Sequence, residues 1–139
     1  MSYQPPKRKK WSKSVRERVR AKFGGRCAYC GQPLGKTFAL DHHYPIGVYG
    51  ERADTEDNIF PSCVQCNHYK GEESIETMRR LIARTFDNLL KKSLTARIAA
   101  AYGLLKRPVG GVRFHFENYC LLKPKFIVEM EREAQEGAK

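Results

Sequence analysis

The spacing of apolar residues along this chain changes period several times. Val15, Val19 and Phe23 recur every four residues, with Arg16, Arg18, Arg20 and Lys22 on the other faces. That is one amphipathic helix. Ser14-Val15-Arg16-Glu17 reads as the capping box that opens it, and Gly24-Gly25 as its stop. Lys36 to His42 reads as a strand, and Ile59-Phe60 as a second, shorter one. Residues 44–57 between them are loop-like, with Gly47, Gly50 and an acidic end. A short helix is expected from Cys66, pausing at Gly71. Ile75, Met78, Ile82, Phe86 and Leu89 then hold helical spacing, so a longer helix starts near Ser74. Leu94, Ile98, Ala101 and Leu105 suggest another. After Gly110-Gly111, Val112, Phe114 and Phe116 alternate with Arg113, His115 and Glu117, as in a half-buried strand. The charged stretch from Glu129 is expected to fray. Short strands among several helices make an α+β chain, and no internal repeat is present.

These elements group into four parts: a flexible basic arm (1–11), a core with its N-terminal helix (12–73), a helical extension with the C-terminal strand (74–128), and a charged tail (129–139). Pro5 and Pro6 disfavour a helix in the arm. At 139 residues and 41% hydrophobic, the chain supports one small core. Small cores sometimes take a staple of metal or disulfide. No run of 18 apolar residues is present, so no membrane span is expected. The basic N-terminus lacks the apolar stretch of a secretory signal, so a reducing cytoplasm is the expected compartment.

Charge narrows the choice of partner. The net charge is +11, and residues 1–26 hold ten Lys and Arg against one Glu. Such concentration favours a polyanion, because neutralising phosphates releases counterions. The plainer reading is a solvated tail that aids solubility.

The cysteines add a metal. Cys27 and Cys30 form one Cys-x-x-Cys pair, Cys63 and Cys66 a second. Each spacing lets both sulfurs face one ion at roughly 2.3 Å, and two such knuckles complete a tetrahedral zinc site. The odd count and missing signal argue against disulfides. A thioredoxin-like redox motif would need only one pair. Cys120 stands alone and reads as a buried small hydrophobe. With four thiolates, zinc has no open position, so chemistry must come from other residues.

Those residues lie between and just after the knuckles: Asp41, His42, His43, Asn58, Asn67, His68 and Lys70. Carboxylate and amide oxygens suit Mg2+ or Mn2+. Imidazole suits a general base at neutral pH. One carboxylate, one amide and one base are parts for hydrolysing a phosphodiester.

In order, Cys27-x-x-Cys30, Asp41-His42-x-x-Pro45, Asn58, Cys63-x-x-Cys66, Asn67 and Lys70-Gly71 resemble the HNH endonuclease family, the ββα-metal nucleases. The resemblance spans Arg20 to Gly71 and implies a ββα-metal core on a four-cysteine zinc clamp. It further implies that Asp41 and Asn67 hold a catalytic Mg2+ or Mn2+, and that His42 is the general base. Asn58 would be the central asparagine that braces the metal loop and helps orient the base. DNA would be cleaved to 5′-phosphate and 3′-hydroxyl ends. Lys70 would meet phosphate, as would Lys7, Arg8, Lys9, Lys10, Arg16 and Arg20 of the basic arm and first helix. His68, about 100° from Asn67 on a helix, would fall outside the site. "KSLTARIAAAYGL" and "VRFHFENY" resemble the extension of small phage and prophage HNH proteins, which places the chain in a bacterial or phage-infected cell. The competing reading is a non-catalytic zinc module that binds nucleic acid. A third is a nuclease for branched DNA.

Strand alternation alone leaves the base open, since Asp41 and His43 would share a face and His42 the other. In the family, proline lies four positions after the aspartate, as Pro45 does after Asp41. That register implies that the strand ends or twists near Asp41, that His42 is the base, and that His43 is a packing residue.

Overall fold

The computed structural model describes residues 9–138, so Lys7 and Arg8 lie outside it. The chain forms two compact units. One holds the chain up to Ser74 and from Phe114 onward, and the other is Ile75–Arg113.

The first unit opens with α1 (Lys13–Ala21). Ser12 caps it, its side chain accepting from the Val15 N–H at 3.3 Å. The cap therefore falls two residues before the expected Ser14, whose hydroxyl instead bonds that of Ser12 at 3.0 Å. Val19 and Phe23 are fully buried, as the four-residue stripe requires. The opposite side of α1 is tied to the chain around it. Arg16 donates to the Phe38 carbonyl, and Arg20 to those of Leu34 and Gly35. Both guanidinium groups lie over the Phe38 ring. Lys22 Nζ donates to the carbonyls of Glu56 and Ile59.

Strands β1 (Ala39–His42) and β2 (Ile59–Ser62) pair antiparallel, with Asp41 opposite Phe60 and His42 opposite Ile59. Between them the loop contains a short helix, α2 (Ile46–Tyr49). After β2 comes α3 (Val64–Lys70), which starts before Cys66 because Cys63 is its N-cap. The Cys63 sulfur accepts from the Cys66 N–H at 3.3 Å. Gly71, at φ +56°, closes α3 in a conformation that side chains rarely adopt. The order is ββα.

Beyond the second unit the chain departs from its expected course. No strand forms over 112–117; a 3-10 turn spans His115–Asn118 instead. Its alternation has another cause. Phe114 and Phe116 stack on each other at 5.6 Å, and each packs edge-on against Tyr29. The N–H groups of His115 and Phe116 donate to the carbonyls of Tyr29 and Ala28. Two bonds to a turn satisfy the backbone without a third strand. The charged tail is likewise helical, as α3 is followed much later by a C-terminal helix over Lys125–Gly137. Phe126 and Ile127 anchor its first turn against Ile46 and Ala53, with Tyr44, Tyr49 and Met130 around them. Asp57 accepts from the Lys125 N–H at 2.8 Å, satisfying one orphan donor at its start. Cys120 is exposed rather than buried.

The second unit contains α4 (Ile75–Lys92) and α5 (Leu94–Ala101), making the C-terminal helix α6. Ser93 caps α5 through the Ala96 N–H. Arg107 pairs with Asp87 and lies over Phe86, and Arg79 donates to the Val112 carbonyl. No described helix is long and apolar enough to cross a membrane.

Candidate active site and metal centre

The Cys27-to-Cys30 turn and the β2–α3 junction bring four sulfurs within 4.8 Å of one another. Cys30 and Cys63 Sγ are 3.9 Å apart. A tetrahedron of sulfurs about 2.3 Å from zinc has edges of about 3.8 Å, so the set fits a closed structural zinc site. The thiols are already unequal. A hydrogen bond from Cys66 lowers the Cys27 pKa to about 4, and the same contact pushes Cys66 upward. Burial raises Cys30. An ion that takes all four as thiolates removes this competition for protons.

A cavity of about 110 Å³ is bounded by the end of β1 and by α3. Asp41, His42, Asn67, Lys70 and Glu72 are among the residues that line it. Asn67 and Lys70 meet there because they are three apart on α3. His43 does not line it. Strand β1 ends at His42, and the His43 N–H donates to the Asn58 carbonyl. The His43 ring stacks on Phe60 at 4.3 Å and packs against Phe116 and Tyr44. Burial lowers its pKa to about 4. His68 is exposed and lies outside the cavity lining.

Asp41 is buried at the cavity wall. Its Oδ2 accepts from the Tyr29 hydroxyl and pairs with Lys70 Nζ at 3.1 Å. Both contacts fall on Oδ2, which leaves Oδ1 for another partner. Burial raises the Asp41 pKa against the opposing pull of the Lys70 ammonium. An anion that is costly to hold in low dielectric favours a further cation. The donors therefore suit a hard divalent ion at Asp41 Oδ1 and the Asn67 amide oxygen.

Lys70, read from the sequence as a phosphate contact, is buried at 1% exposure. Its ammonium is taken up by Asp41 and by the His42 carbonyl at 3.2 Å. Arg16 and Arg20 hold carbonyls of the 34–38 segment, as described above. Lys9 and Lys10 are exposed.

Asn58 is fully buried and outside the cavity. Its Oδ1 accepts from the Tyr44 N–H at 2.9 Å, and its Nδ2 donates to the carbonyls of Tyr44 (3.0 Å) and Ala53 (2.7 Å). It fastens both ends of the loop that follows β1. Asn58→Ala would strip three backbone groups, one buried and two part-buried, of their partner. We expect a loss of about 3 kcal/mol or more, read as a lowered midpoint of thermal unfolding. An unchanged midpoint would contradict this bracing.

Sequence reading missed Asp54. It is buried, and its Oδ1 lies 2.9 Å from His42 Nε2. Its Oδ2 accepts from the Lys9 N–H at 3.2 Å. A carboxylate only accepts, so Nε2 carries a hydrogen, and in the neutral form of the ring the lone pair is on Nδ1.

Residues 27–73 match the HNH endonuclease family model. The matched span contains the four cysteines, both strands and α3, and it agrees with the resemblance read from the motifs. It points to a nuclease. No curated protein matches the chain.

Proposed function

We propose that the protein is a divalent-cation-dependent endonuclease that hydrolyses DNA phosphodiester bonds, nicking or cutting, with His42 as general base. The observation that carries this reading is the convergence of Asp41, His42 and Asn67 on one cavity, with His42 fixed by Asp54. In this reading His42 Nδ1 takes a proton from water as the oxygen attacks phosphorus and the bond to the 3′ oxygen breaks. Asp41 and Asn67 would hold the cation, and its charge would offset the negative charge that develops on the phosphate. Lys70 fixes Asp41 and the His42 backbone, and Asn58 braces the loop behind them. Lys9 and Lys10 of the arm, with Lys7 and Arg8 before them and Arg16 and Arg20 on α1, supply positive charge for the DNA backbone. Such contacts position the enzyme but carry no sequence choice.

The test is supercoiled plasmid with added Mg2+ or Mn2+. We expect open circles or linear product from the wild type. A protein that binds DNA and leaves the plasmid supercoiled would instead be a zinc-stabilised binding module. Asp54→Asn offers a sharper check. The amide can donate as well as accept, so it no longer enforces one tautomer of His42. The turnover rate is expected to fall on the order of 10²-fold or more, with KM little changed. Equal turnover by the variant would remove Asp54 from the mechanism.

A further inference from the structure

A second concave surface adjoins His42. It is a groove of about 440 Å³ lined by Lys9, Lys10, Trp11, Arg16, Leu40 and His42. It shares Leu40 and His42 with the cavity that contains Asp41 and Asn67, but neither of those two lines it. The two sides of His42 differ in chemistry. One offers oxygen donors for a cation. The other offers three cationic side chains, an aliphatic residue and a half-buried indole.

The wall of this groove is fixed to the site. The Lys9 N–H and Nζ donate to the Asp54 carboxylate and carbonyl at 3.2 and 3.0 Å. Asp54 is also the carboxylate that holds His42. Lys9 Nζ stands 5.8 Å from the centre of the Trp11 ring. The segment Lys9–Trp11 and the imidazole therefore share one support, and anything seated on the segment is registered to His42.

We propose that this groove seats the nucleotide next to the scissile phosphate, with its base against Trp11 and its phosphate on Lys10 and Arg16. The inference rests on the endonuclease reading and adds a substrate class to it. Cations beside an aromatic face match a nucleotide, which brings one phosphate and one π-face. A base reaches an indole only when it is out of the duplex stack. The preferred substrate therefore has an unpaired nucleotide at the cut, as in single strands, flaps or junctions.

Trp11 is the only tryptophan in the chain, so its emission reports on this groove directly. Without added Mg2+ or Mn2+, the full chain is titrated with a thymidine oligonucleotide of about twelve residues, and with an abasic strand of equal length. Binding is followed separately by anisotropy of labelled strands. We expect the thymidine strand to quench Trp11, and the abasic strand to bind with little quenching. Trp11→Ala should weaken thymidine binding roughly ten-fold and spare abasic binding. Trp11→Phe should restore most of it. Thymidine binding without a change in emission would overturn the inference. So would equal quenching by the abasic strand, or unchanged affinity in Trp11→Ala. Any of these beside normal plasmid nicking sinks the groove alone. Failure of both strands to bind, with the plasmid left intact, sinks the nuclease reading as well.

Discussion

His42→Ala is expected to lower plasmid cleavage by on the order of 10²- to 10⁴-fold, the range over which a positioned general base acts. His43→Ala is expected to leave much of the activity. The two histidines are adjacent, yet their surroundings differ. His42 borders the cavity with Asp41 and Asn67, and Asp54 fixes which of its nitrogens is free. His43 lies against Phe60 and Phe116, where its work is packing. Removing a buried ring also costs stability, so His43→Leu provides a variant that keeps most of the volume. Both proteins are compared with wild type well below their unfolding midpoints. Loss of cleavage in His43→Leu, with His42→Ala still active, would reverse the assignment of the base.

Parts of this arrangement are legible in the sequence and parts are not. The knuckles are legible because two Cys-x-x-Cys pairs have few other uses. Helix α3 is legible because it must start at the second knuckle and stop at Gly71. Alternation would have put Asp41 with His43, and the observed strand ends at His42, as the Pro45 register implied. Asp54 was not legible. It is one acid in a loop that also holds Glu56 and Asp57, and nothing in that stretch says which carboxylate turns inward. Only the pairing of β1 with β2 and the Asn58 brace bring it to the imidazole. Lys70 misleads for the opposite reason. A lysine before a helix-ending glycine looks solvated, but its position on α3 aims it at the Asp41 carboxylate. Phe114 and Phe116 alternate like a strand, though the pattern arises from two rings stacked on one another beside Tyr29. The signal for α6 was present in Phe126, Ile127 and Met130, and the surrounding charges masked it.

Loss of any of the four clustered cysteines is expected to have the largest effect on folding. Two four-residue strands are marginal alone, and the Cys27-to-Cys30 turn meets β2 through a backbone bond from the Ala28 N–H to the Pro61 carbonyl at 2.8 Å, with a few buried side chains beside it. An ion across Cys27, Cys30, Cys63 and Cys66 would join that turn to the start of α3. Structural zinc in small domains binds with about 10–16 kcal/mol of apparent free energy, and this is folding free energy. A domain's whole stability is about 5–15 kcal/mol, so Cys27→Ser or Cys63→Ser should unfold the nuclease core. Helices α4 and α5 belong to the other unit, so circular dichroism is best paired with a probe within the core. Trp11 emission and the dispersion of amide signals serve that purpose. Chelation of the wild type should give the same result, and readdition of zinc should reverse it. The effect has a pH direction as well. Zinc requires thiolates, so protons compete with it and the metal is released as pH falls. A metal-free variant with unchanged dichroism, emission and amide dispersion would show that the cysteines sit together without holding the fold.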